Sequence, residues 1–185
     1  MIHALARFTV LQRTLHWLMA ACIYGILFVG VGMVSTIAPK YLPLITLHKT
    51  LGMAILLLAI LRLGVRVRSG APALPLDLPK PMKLAAHLSH YALYGLMILM
   101  PLLGWAMLSA ANYPIVLLGG LRLPPIVSAN EQLHTLLWHA HVYLAFAFYA
   151  LVLLHLAAAL FHALVRRDEV FASMAPVPQR DTANL

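Results

Sequence analysis

Four stretches of this chain are apolar for long enough to cross a bilayer, and short polar or proline-rich segments separate them. From Leu15 to Thr36 no charged residue occurs. A second stretch runs from about Leu44 to Val67, with Lys49 near its start and Arg62 and Arg66 near its end. A third, about Leu84 to Leu108, contains Pro101, which is expected to bend it. The fourth begins near His134 and ends before Arg166 and Arg167. The pattern predicts an all-α integral membrane four-helix bundle forming one domain over 1–175, with spans at about 8–36, 44–67, 84–108 and 133–165.

The connections read differently from one another. Pro39, Lys40 and Pro43 predict a short turn. Ser69 to Lys83 holds Gly70 and four prolines, Pro72, Pro75, Pro79 and Pro81, and is expected to be a loop. Asn112 to Asn130 is apolar but broken by Pro114, Gly119-Gly120 and Pro124-Pro125, and is expected to lie along the membrane surface. A polar tail, 176–185, is expected to be disordered. The first apolar stretch exceeds the core of a signal peptide and is read as a retained helix.

Composition agrees with the pattern. Of 185 residues, 63% are hydrophobic and only 18 are charged, which excludes an ordinary soluble domain. The net charge of +8 does not point to nucleic acid, because the basic residues flank apolar segments instead of sharing a polar face. They set orientation. Arg7, Arg13, Arg62, Arg66, Arg68, Lys80, Lys83, Arg166, Arg167 and Arg180 fall on one side, and Lys40, Lys49 and Arg122 on the other. Ten against three predicts both termini in the cytoplasm. Cys22 is the only cysteine, so neither an intrachain disulfide nor a cysteine-held cluster is available.

The ten histidines are the anomaly in so apolar a chain. His141 and His155 are fourteen residues apart. On a helix that spacing separates them by about 40° in direction and about 21 Å along the axis. His134 and His162 fall on the same stripe, while His139 points almost the opposite way. Depth then sorts four of them. His155 precedes Arg166 by eleven residues and His16 follows Arg7 by nine, so both lie at similar depths from one boundary. His48 and His141 match at the other. Two imidazoles at one level are what a b-type haem takes as axial ligands, and two levels make a two-haem electron path.

Other readings stand beside this one. A lone histidine in a membrane helix more often bonds a neighbouring helix than ligates a metal. His139 and His141, two apart, do not share a face and make a weak zinc pair. His87 and His90 do share one, at the same end as His16. No carboxylate interrupts a span, which argues against a proton pump built on acidic relays. A haem-free, histidine-lined metal or proton carrier is the third option.

Several runs carry a family resemblance. They are Leu15-His16-Trp17, Pro79-Lys80-Pro81-Met82, Leu84-Ala85-Ala86-His87-Leu88-Ser89-His90, and Trp138-His139-Ala140-His141 followed fourteen residues on by His155. From about Thr9 to Pro176 the chain resembles the bacterial cytochrome b561 family, whose wider membership includes the cytochrome b subunits of formate dehydrogenases and hydrogenases. The resemblance implies haem-iron ligands at His16, His48, His141 and His155. It also implies an activity: oxidation of periplasmic superoxide, with the electron passing through both haems to ubiquinone. The alternative within the family is an electron-transfer subunit docked on a dehydrogenase or hydrogenase.

Two further sets of residues are candidates. Lys40, Lys49 or Arg122 would draw a small anion toward the outer haem, or simply snorkel to the interface. Lys49 departs from the family pattern and takes no assigned role. At the inner side His87, His90, His162 and Lys83, with Lys80, are candidates for a quinone pocket, or else for capping haem propionates. Neutral imidazoles near water would supply the protons that quinone reduction consumes.

Overall fold

A computed structural model describes residues 7–35, 39 and 41–176. Four long helices carry the chain: α1 (Val10–Val34), α2 (Tyr41–Ser69), α3 (Lys80–Ala110) and α4 (Glu131–Phe161). All four are long and apolar enough to cross a membrane. α1 packs chiefly on α2, α3 on α4, and α2 closes the set against α3. The bundle has a termini end, with the start of α1, the end of α4 and the 70–79 loop, and a hairpin end.

Local chemistry explains the boundaries. Thr9 and Gln12 cap each other's orphan backbone groups in a reciprocal capping box that starts α1. Asn130 accepts from the Leu133 amide at the start of α4, with Glu131 in its first turn. α3 begins at Lys80, earlier than the proline-rich loop suggests. Its Pro81 lies in the first turn, where no intrahelical amide is needed and the fixed φ favours the helix. α3 then runs through Pro101 without ending.

Between α3 and α4 the broken apolar stretch folds into a small hairpin. β1 (Ile115–Val116) and β2 (Arg122–Leu123) pair antiparallel across a turn in which Gly119 and Gly120 take φ of 80° and 81°. That conformation costs a side chain dearly and glycine nothing. Three hydrogen bonds tie the hairpin down. The Leu118 amide donates to Thr50 Oγ1 at 2.9 Å, the Ile126 amide to Ser109 Oγ at 3.2 Å, and Trp105 Nε1 to the Pro124 carbonyl at 2.8 Å.

Beyond α4 the chain reverses before it reaches the polar tail. Residues His162–Arg166 widen into a π-helical turn, Arg167 reverses direction at φ 52°, and a short helix α5 (Glu169–Met174) folds back across the termini end. The start of α1 holds it there. Trp17 Nε1 donates to the Met174 carbonyl at 2.9 Å and Arg13 Nη1 to the Ala175 carbonyl at 3.0 Å. The remainder of the tail, 177–185, and Lys40 lie outside the described residues.

The buried core is a narrow plug at mid-height: Met19, Ile23, Ile55, Ala59, Leu93, Met97, Met100, Phe148 and Val152. The outer surface is the reverse of a soluble protein's. Phe28 is 74% exposed and Phe146 72%, as suits side chains whose solvent is lipid.

Candidate functional site

The plug separates two histidine pairs. Below it, at the termini end, the rings of His16 (α1) and His155 (α4) stand 6.4 Å apart between centres, inclined at 67°. Above it, at the hairpin end, His48 (α2) and His141 (α4) stand 6.1 Å apart at 68°. Phe148 lies on α4 midway between His141 and His155, and is only 5% exposed. The four residues chosen by depth therefore meet as two pairs, each on two different helices.

Their surroundings ask for a ligand. Nδ1 of His16, His48 and His141 is buried without a hydrogen-bond partner, a costly state for an imidazole with nothing to bind. Two imidazoles bound to one metal from opposite sides, at about 2 Å each, have ring centres roughly 6 Å apart. Both pairs meet that separation. At the hairpin end bare glycine backbone faces the rings: a Cβ on Gly30 would lie 3.8 Å from His48 Cε1, and one on Gly104 3.4 Å from His141 Cε1. The residues present fit a planar group gripped through its metal. Among the described residues no cluster of three or more histidine, cysteine or acidic side chains suits a bare metal ion.

The termini-end pair opens into a cavity of about 680 Å3. Its wall includes His87, His90, His162 and Lys83, so the candidate quinone-pocket residues do share one space with His16 and His155. Lys80 is absent from that wall. His90 comes closest of these, its ring 5.5 Å from that of His155. Lys83 Nζ donates to the Leu76 carbonyl at 3.2 Å.

His162 is the most structured of the set. Its Nδ1 lies 2.7 Å from Asp168 Oδ2, which also accepts from Arg166 Nε at 3.0 Å, and Arg166 Nη2 reaches Asp77 Oδ2 at 2.7 Å. Partial burial pushes the Asp168 carboxyl up. The hydrogen bonds from His162, Arg166 and the Val170 amide outweigh that and hold it below the usual carboxylate range.

Other histidines are spent elsewhere. His134 Nδ1 donates to the Met107 carbonyl at 3.0 Å, pinning the start of α4 to the end of α3. His139 is exposed and stacks on Tyr143, on the face away from the pairs, as its helical phase required. Of the outer cations Lys49 is half-buried and Arg122 exposed.

Sequence reasoning missed Asp168, Arg62 and Tyr94. Asp168 lies past the apolar pattern and becomes relevant only because the chain reverses at Arg167. Arg62 passes for a topology signal and Tyr94 for packing, until the structure puts both in the cavity wall.

A four-helix membrane bundle with paired, unpartnered histidines at two levels defines the class: a membrane b-type cytochrome. The chain belongs to the prokaryotic cytochrome b561 family, whose model matches residues 7–176. Cytochrome b561 homolog 2 of Escherichia coli K12 is 29% identical over 171 residues, covering 91% of this chain and 90% of that protein. Probable superoxide oxidase CybB of Yersinia pestis is 30% identical over 172 residues, covering 92% and 96%. Cytochrome b561 homolog 1 of Escherichia coli K12 is 29% identical over 173 residues, covering 92% and 97%. Membership implies b-type haem, electron transport and a bacterial membrane.

Proposed function

We propose that this protein is a two-haem oxidoreductase of the bacterial inner membrane, taking electrons from superoxide at the hairpin end and delivering them to ubiquinone at the termini end. The observation that carries this reading is the pair of imidazole pairs, 6.4 and 6.1 Å between ring centres, at two depths of one bundle. His16 and His155 would hold one haem, and His48 and His141 the other. Bound there, the haems supply reversible one-electron chemistry at both faces of the membrane. The name of the Yersinia pestis relative supports superoxide as the donor.

The chain's own residues do the rest. With nine of the eleven described basic residues on the termini side, the positive-inside rule favours that end as the cytoplasmic one. Lys49 and Arg122 are then the described cations on the periplasmic side, available to steer an anion. Quinone reduction consumes two electrons and two protons, so two superoxide anions yield two molecules of oxygen for each quinol formed. His162 stands in the cavity wall with Asp168 fixing its ring, an arrangement suited to handing a proton to a quinone oxygen.

Stopped-flow mixing tests the proposal. Superoxide should reduce both haems of the purified protein, and ubiquinone should then reoxidise them. Haems that stay oxidised with superoxide, yet are reduced by a soluble dehydrogenase or hydrogenase, would replace this reading with that of an electron-transfer subunit.

A further inference from the structure

Arg62 is a cation at membrane depth without an anion. It sits on α2, seven residues before the helix ends at Ser69, in the wall of the termini-end cavity. Its Nη1 donates to Met19 Sδ at 3.8 Å, and its guanidinium carbon lies 5.4 Å from the centre of the Tyr94 ring. The ion pairs that join His162 to Asp168 and Arg166 to Asp77 and Asp168 do not reach Arg62. The cavity wall contains Arg62, Arg66 and Lys83 but no aspartate or glutamate. In the same wall Tyr94 Oη and His16 Nδ1 are buried without hydrogen-bond partners.

These deficits converge. A guanidinium drawn out of water without an anion is destabilising. An idle phenol beside it adds a second unmet donor. Both are relieved by one acceptor with negative charge, and the guanidinium fork matches a carboxylate. A neutral quinone does not supply that charge.

We propose that Arg62, with Arg66 and the Tyr94 hydroxyl, binds a carboxylate of the molecule that His16 and His155 hold, namely a propionate of the termini-end haem. This rests on the haem assignment above and adds an orientation to it: the carboxylate edge faces α2 and α3. It also adds a bias. A fixed positive charge beside that carboxylate favours the reduced haem, and so raises the reduction potential of the termini-end site alone.

The test is a spectropotentiometric titration of the full-length holoprotein, with haem counted per chain, for wild type, R62M, R62K and Y94F. Each protein is measured in nanodiscs of phosphatidylcholine and of phosphatidylglycerol. R62M should lower the potential of the haem that is lost in His16→Ala and leave the other unmoved, equally in both lipids. If R62M loses that haem altogether, R62K and Y94F should retain it with smaller downward shifts. Unshifted potentials in all three variants would overturn the proposal while leaving the haem reading intact. A shift seen only in phosphatidylglycerol would also overturn it, by identifying the anion as a lipid phosphate. A wild-type protein with no haem dependent on His16 would overturn the functional reading itself.

Discussion

The two ends of the bundle hold their imidazoles almost identically and surround them quite differently. At the hairpin end α1 and α3 contribute Gly30 and Gly104, so backbone lies against His48 and His141. At the termini end the bundle contributes His90, Arg62, Arg66 and Tyr94, and the pair opens into a large, mostly apolar cavity with these polar groups in its wall. The shared imidazole spacing fits the shared chemistry proposed for both sites, while the walls differ with what each would exchange. A close-fitting site suits a donor that gives only an electron. A roomy one with titratable walls suits an acceptor that also takes protons.

The largest test of that comparison removes one ligand at a time. Pyridine haemochrome analysis of the wild type should give close to two haems per chain. Alanine at His48 or His141 should empty the hairpin-end site and alanine at His16 or His155 the termini-end site, each halving the count. His139→Ala and His90→Ala should leave both. A haem lost with His90 but kept without His16 would reassign the ligand on that side.

The glycine wall comes next. Gly104→Leu should expel the hairpin-end haem by filling the space beside His141. Gly95→Leu, on the same helix with nothing within 4 Å of its added Cβ, should not. If both variants keep two haems, the close fit is not needed.

At the cavity, His162→Gln should slow reoxidation by ubiquinone roughly tenfold or more, within the range a positioned proton donor contributes, and leave reduction by superoxide unchanged. Equal slowing of both steps would mean that the substitution disturbs the bundle and not the proton supply.

A smaller effect belongs to Asp168, whose carboxyl titrates below its ordinary value in the folded protein. Its contribution is fully present above the unfolded carboxylate value of about 3.9 and is lost as pH falls through the lower folded value. Thermal unfolding in detergent should show wild type ahead of Asp168→Asn near pH 6, with the two converging below about pH 4. A gap that does not begin to narrow as pH falls below the unfolded carboxylate value would show that the carboxylate charge is not what matters.

Most of the fold was legible because lipid imposes it: long apolar runs, basic flanks and proline-rich breaks leave little freedom. The histidine pairs were legible because depth along a helix is simple arithmetic, and His16, His48, His141 and His155 do meet as that arithmetic required. What could not be read were features made by chain reversal. The hairpin at Ile115–Leu123 forms from a segment whose periodicity is too short to register. α5 follows a π-turn and a left-handed Arg167 that no apolar pattern announces, and with it come Asp168 and the cover it forms over the cavity. Arg62 was visible but mistaken, since a basic residue near a helix end usually reports only topology.

The plug of Met19, Ile55, Met97, Phe148 and their neighbours has a consequence for energy conversion. It offers ions and water no polar route between the two ends, yet electrons tunnel through packed side chains. If electrons cross it inward as proposed, their charge is uncompensated and the transfer would be electrogenic. Moving one elementary charge through the full membrane potential is worth about 2.3 kcal/mol per 100 mV. With the cytoplasm negative, that work opposes electrons entering from the periplasmic face. Turnover in sealed vesicles should therefore slow as a negative-inside potential is imposed and recover when an ionophore collapses it.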